Sequence, residues 1–193
     1  MRLLDAFCGA GGSAMGYSRA GFDDITGVDI AQQAHYPFRF VRGEALQYIR
    51  EHGHEYDAVH ASPPCQGYSR GTGFGNHKKP PRLIADVRSA LLLNNTPYII
   101  ENVMGAKEAM QSPIMLCGAM FGIGVIRHRL FECSITVLTP PHKCHGPEVV
   151  RDLVSVTAHG PPPRWYRKNP GTKFSLQVWK DAMGIDWMTR NEL

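Results

Sequence analysis

Short apolar runs alternate with stretches of helical periodicity along the first two thirds of the chain. The runs predict strands at Arg2–Phe7, Ile25–Asp29, Phe38–Arg42, Asp57–Ala61, Tyr98–Asn102 and Leu130–Ile135. Apolar positions recurring every three or four residues predict helices at Ser13–Ala20, Ala45–Glu51 and Leu83–Asn94. Such alternation predicts an α/β fold with a mostly parallel sheet and helices on both faces. The sequence carries no internal repeat.

The pattern breaks twice. Gly67–Pro81 holds Gly67, Gly71, Gly73 and Gly75, the basic Arg70, Lys78 and Lys79, and almost no aliphatics, so it reads as a mobile surface loop. Thr139–Lys173 carries Pro140, Pro141, Pro147, Pro161, Pro162, Pro163 and Pro170, and reads as a small irregular insertion. Leu176–Gly184 regains helical periodicity through Leu176, Val178, Trp179, Ala182 and Met183. The expected organisation is an α/β domain over 1–138, a small irregular region over 139–175, and a C-terminal helix over 176–193 returning to that domain.

Composition narrows this modestly. A chain of 193 residues with 43% hydrophobic and 20% charged residues suits a globular protein with a real core. No apolar run spans a bilayer and no signal peptide is read at Met1–Asp5, so an intracellular, cytoplasmic protein with no membrane partner is expected. Cys8, Cys65, Cys117, Cys133 and Cys144 are odd in number and scattered, which fits a reducing compartment. The net charge of +4 permits a polyanionic partner without requiring one. No protein partner is read from the sequence, and a monomer is expected.

Four segments carry chemistry. Ser62-Pro63-Pro64-Cys65-Gln66 follows a strand directly, so two prolines hold a cysteine on stiff, extended backbone where open α/β sheets place reactive groups. A small buried cysteine is the bland alternative. Leu3-Leu4-Asp5-Ala6-Phe7-Cys8-Gly9-Ala10-Gly11-Gly12 is a strand entering a glycine turn. Its spacing departs from the dinucleotide G-x-G-x-x-G, so a nucleotide-like ligand without a pyrophosphate fits better than a dehydrogenase cofactor. Tyr98-Ile99-Ile100-Glu101-Asn102-Val103 ends an apolar strand in an acid, and Arg127-His128-Arg129-Leu130-Phe131-Glu132 places two arginines on alternate positions. His142, Cys144 and His145, with Cys133 upstream, are too raggedly spaced for a zinc site, and no metal is expected.

In this order the four blocks resemble those of the cytosine-C5 DNA methyltransferases, from Met1 to about Glu132. The resemblance implies a Rossmann-like S-adenosylmethionine-dependent methyltransferase fold and double-stranded DNA as partner. It implies Cys65 as nucleophile, Glu101 as the group that protonates N3 and binds the 4-amino group of cytosine, Arg129 at the base oxygen O2, and Arg127 orienting Glu101. It implies that Phe7, Cys8, Gly9, Gly11 and Gly12 cradle S-adenosylmethionine, with Phe7 against the adenine. Asp29 would meet the ribose hydroxyls, and Glu44 the adenine amino group. Glu44 is equally suited to cap the following helix. Ile30, Ala45 and Pro63 complete the cofactor set. By the same resemblance the loop after Cys65 folds over DNA, and the insertion is a target-recognition region. Arg164-Trp165-Tyr166-Arg167-Lys168 serves as a DNA contact or a plain surface loop.

Two departures stand out. The family's final segment, which completes the cofactor pocket, is expected to be absent. Val125 stands where a glutamine usually precedes the arginines. Two other readings remain: a methyltransferase acting on RNA cytosine, and a catalytically silent DNA-binding accessory protein of the same fold. Solitary, restriction-modification and phage-protective roles would look alike.

Overall fold

Every residue of β1 (Arg2–Ala6) after Arg2 is buried, the mark of a central strand covered on both faces. In the computed structural model, which describes residues 1–69, 80–123, 125–142, 154–155 and 186–187, β1 lies between two parallel neighbours. These are β2 (Asp24–Asp29) and β4 (Ala58–Ala61). Outward from them run β3 (Arg39–Arg42), parallel to β2, and β5 (Tyr98–Asn102), parallel to β4. β6 spans Ile114–Cys117, β7 Val125–Ile126, β8 His128–Cys133 and β9 Val154–Ser155. The main sheet runs β3-β2-β1-β4-β5-β8-β6, with β8 antiparallel to β5. The expected mostly parallel α/β sheet is thus present.

Alternation along β1 sends side chains to two cores. Leu4 and Ala6 pack with α2 (Ala45–His52) and α3 (Ile84–Asn94) through Ile49, Ile84, Val87 and Leu91. Leu3 packs with Ile25, Tyr36 and Ala14 of α1 (Gly12–Arg19) on the other face. Edge strand β3 presents exposed Arg39 and Arg42, which discourages pairing with another chain.

The chain divides into two compact units, Met1–Met115 with Arg129–Val137, and Leu116–His128 with Leu138–Leu193. In the second, Ile123 N–H closes a turn onto the Gly118 carbonyl at 3.1 Å, and β7 pairs in parallel with β9. The stretch read as irregular therefore contributes a short strand. The rest of that insertion, the helix expected at Leu176–Gly184 and the basic-aromatic run at Arg164–Lys168 lie outside the described residues. No described helix is long and apolar enough to cross a membrane.

Candidate active site

The strand order reverses between β1 and β4, and open α/β sheets bind ligands at the carboxyl ends of strands at such a point. The chain leaves β1 through Phe7–Gly12, with left-handed backbone at Phe7 (φ 58°), Gly9 (φ 49°) and Gly11 (φ 90°). A Cβ on Gly11 would meet Pro37 Cδ at 2.7 Å, so glycine is required there on both counts. Phe7 is the costlier choice, since a non-glycine in this region stores roughly 1–3 kcal/mol and such strain collects at ligand sites. Asp29, at the end of β2, ties the turn down. Its Oδ2 accepts the Gly9 amide at 3.1 Å and its Oδ1 the Ala31 amide at 2.9 Å.

The neighbouring cofactor candidates divide. Ile30 is 72% exposed, an apolar platform beside Asp29. Among the described residues no side chain caps the start of α1, whose N-cap is Gly11. Cys8 is buried in the core with Leu3 and Ala14, and burial pushes its thiol far up, which makes it inert. Ala45 is also buried. Glu44 is the N-cap of α2, accepting the amides of Leu46 at 3.0 Å and Gln47 at 2.7 Å with separate oxygens. The capping role left open by the sequence is realised.

β4 continues into the cysteine segment. The Ser62 amide still bonds to the Ala6 carbonyl at 3.1 Å, and the Pro63 carbonyl accepts Asn102 Nδ2 at 2.9 Å. Half-buried Cys65 then opens a turn, its carbonyl accepting the amides of Tyr68 at 2.9 Å and Ser69 at 3.0 Å. That turn is anchored on two sides. Buried Tyr68 accepts the Ile84 amide at the start of α3, and Arg82 donates to the Gly67 carbonyl at 2.9 Å. A Cβ on Gly105 would lie 2.1 Å from the Tyr68 carbonyl oxygen, so the segment after β5 approaches the turn closely. Residues 70–79 of the expected lid lie outside the described residues.

β5 runs beside β4 and delivers Glu101 next to the cysteine segment. Its carboxylate Oε1 is 2.8 Å from Arg129 Nε on β8, with the side chains 21% and 26% exposed. Arg129, expected at the base oxygen, thus pairs with Glu101 as well. The partly buried acid that the sequence called for is present, held by an arginine. Val125, in place of the family's glutamine, is buried in β7.

Several positioning groups carried no role in the sequence reading. Asn102 joins the Glu101 block to the Cys65 block through its bond to Pro63, and also accepts the Val103 amide at 2.9 Å. Fully buried Asp5 accepts Ser13 Oγ at 3.0 Å and Tyr36 OH at 3.1 Å, beneath the glycine turn. Its register partner His60, also buried, bridges Tyr17 OH at 3.1 Å and Ser62 Oγ at 2.8 Å. A polar residue inside an apolar strand run was the available signal, as was Gly27, whose Cβ would lie 2.2 Å from the Tyr36 ring.

Burial drives Asp5 up to about 7 and His60 down to about 4. The two act on stability in opposite senses. Folded Asp5 keeps a proton that an unfolded carboxyl loses near pH 4, so its contribution falls as pH rises from about 4 to about 7. Folded His60 refuses a proton that an unfolded imidazole takes up below about 6.5, so its contribution falls as pH drops from about 6.5 to about 4. The slopes oppose each other in the shared window. Relative to the parent chain, Asp5→Asn is expected to lose stability on acidification across it, and His60→Gln to lose stability as pH rises. Urea midpoints at the two ends of the window check both signs.

Sheet order, glycine turn and the seat of Cys65 together define a Rossmann-like methyltransferase fold. The family model for the C-5 cytosine-specific DNA methylase matches residues 1–115, and the chain belongs to that family. The match holds the glycine turn, Cys65 and Glu101, and ends before the arginine block. The Type II methyltransferase M1.HphI of Haemophilus parahaemolyticus is 30% identical over 120 residues, 53% of this chain and 32% of that protein. M.XorII of Xanthomonas oryzae pv. oryzae is 31% identical over 118 residues, 53% of this chain and 28% of that protein. The chain thus spans about a third of the length of these curated relatives. Among solved structures, the S. pombe Dnmt2 methyltransferase aligns at TM-score 0.46 and 19% identity, over 68% of this chain and 49% of that one. The Entamoeba histolytica methyltransferase EhMeth aligns at TM-score 0.47 and 17% identity, over 74% and 57%.

Proposed function

We propose that this protein is a DNA cytosine-C5 methyltransferase working through a covalent Cys65 adduct, with S-adenosylmethionine as methyl donor. The observation that carries the reading is the seat of Cys65. It stands on rigid proline backbone at the end of β4, beside a strand that ends in the Glu101–Arg129 pair. The glycine turn fits the donor. Gly9, Gly11 and the uncapped start of α1 suit its amino-acid end, Asp29 its ribose and exposed Ile30 its adenine.

C5 of cytosine is a poor nucleophile until a thiolate adds across C6. Cys65 Sγ forms the bond to C6, and Glu101 holds the proton that N3 gains as the ring accepts the electrons. Arg129, which pairs with Glu101 Oε1, reaches the base oxygen O2 beside it. When bound, S-adenosylmethionine supplies the methyl group that C5 accepts. Loss of the C5 proton to water then expels the Cys65 thiolate. Because C5 and C6 lie inside the duplex stack, the base must be flipped out. Arg127 keeps the role the resemblance implies, orienting Glu101.

Glu101→Gln is expected to slow the chemical step by about 10²–10⁴-fold while the fold survives. Single-turnover methylation checks this, and an unchanged rate would make Glu101 structural. The decisive experiment is trapping. The protein is incubated with S-adenosylmethionine and duplex DNA containing 5-fluorocytosine, and a denaturant-stable adduct is sought by mass spectrometry. Fluorine at C5 blocks the last elimination, so the adduct is expected on Cys65. An adduct elsewhere would overturn the mechanism. An adduct formed only on RNA would overturn the substrate.

A further inference from the structure

We infer that the second compact unit holds a zinc site built from Cys117, His128 and His142. One donor atom from each of these three residues lies within 4.8 Å of the other two. The Nε2 atoms of His128 and His142 are 3.2 Å apart, with ring centroids at 5.2 Å and planes inclined by 70°. Two imidazoles bound to a tetrahedral zinc at about 2.05 Å stand about 3.3 Å apart, and a thiolate and an imidazole about 3.6 Å apart. The histidine pair already has the first spacing.

Three separate stretches of chain converge to make the group. Cys117 closes β6 and its side chain is buried. A tight turn follows, in which a Cβ on Gly118 would lie 2.5 Å from the Val125 carbonyl oxygen. β7 then returns the chain to His128 at the head of β8. His142 arrives from fourteen residues further on. A thiolate with two imidazoles is a soft donor set suited to zinc and poorly suited to magnesium or calcium. A plain hydrogen bond between two neutral histidines would account for one contact. It would not account for a buried thiol converging on both rings.

This membership differs from the grouping considered in the sequence. Cys133 belongs to the other unit, and Cys144 and His145 lie outside the described residues. The spacing of Cys117, His128 and His142 matches no common zinc signature, which is why the sequence did not announce it. The consequence reaches the candidate active site through the chain itself. His128 sits between Arg127 and Arg129, so a metal on His128 restrains the stretch that carries both arginines.

Elemental analysis of the full chain, expressed with zinc and dialysed against metal-free buffer, tests the site independently of methylation. About one zinc per chain is expected. Cys117→Ala and His142→Ala are each expected to lower zinc content at least tenfold, and Cys133→Ser to leave it unchanged. Substituting cobalt(II) into the unaltered protein should give a thiolate-to-metal charge-transfer band, a readout that needs no variant to fold. Absence of zinc and of that band would overturn the site. So would zinc retained by correctly folded His142→Ala, or lost from Cys133→Ser. Preferential copper binding with intense blue absorption would overturn the choice of metal.

Discussion

Cys65→Ser is expected to abolish turnover, by about 10⁴-fold or more, while leaving the fold and cofactor binding intact. Removing a covalent nucleophile outright costs rates on that scale. A serine hydroxyl does not ionise near neutral pH, and the proposed pathway needs an anion to add across C6. The substitution is nearly isosteric, and the side chain is only half-buried. The backbone bonds that build its turn, from the Cys65 carbonyl to Tyr68 and Ser69, do not involve the sulfur. No other thiol of the first unit stands ready to substitute. Cys8 is buried in the core with its thiol pushed far up, and Cys133 sits on β8 with its thiol raised by burial and by Glu132. Methylation assays on duplex DNA give the rate, and calorimetric titration with S-adenosylhomocysteine gives the binding. Residual methylation near the parent level would remove Cys65 from its role.

The parts of this picture that local sequence could supply are those that local physics determines. Leu3, Leu4 and Ala6 make an apolar run because β1 is covered on both faces, and such a run is visible without neighbours. Ser62–Cys65 reads as stiff and extended because proline fixes its own backbone wherever it occurs. β8 was expected to begin at Leu130 but begins at His128, since polar Arg129 sits on the face turned to Glu101. β6 was missed because Ile114–Cys117 is a brief apolar run between a proline and a glycine, too short for periodicity to declare. Partner choice was the least legible. The sequence reading gave Arg129 to the base oxygen and only Arg127 to Glu101, and the antiparallel register of β8 on β5 is what brings Arg129 to Glu101. Glu44 offered two roles that composition could not separate, and the first turn of α2 takes both of its oxygens.

The largest expected loss of stability lies at a pair the sequence did not announce. Arg88 of α3 and Glu132 of β8 are 44 residues apart in the chain and meet through two parallel hydrogen bonds, at 2.5 Å and 2.6 Å. Their side chains are 11% and 2% exposed. Arg88→Met fills much the same volume but leaves a buried carboxylate without its counter-charge, which costs about 3–5 kcal/mol. The Ala109 carbonyl also loses its guanidinium donor. Glu132 keeps the Gln111 amide at 2.7 Å, so the loss should fall short of an entirely unpartnered charge. In a chain of this size the change should lower the melting temperature by roughly 10 °C. The double change Arg88→Met with Glu132→Leu is expected to recover a substantial part of the loss, because it removes the stranded charge as well. Chemical denaturation of the parent, single and double variants measures the coupling, and a double variant no more stable than Arg88→Met would show the cost to be packing. Leu130 and Glu132 face α3 while Arg129, on the alternate position, faces Glu101. One face of β8 thus fixes the strand against the helix so that the other can hold the acid, and a loosened Arg88 should lower activity through Arg129 before the protein unfolds.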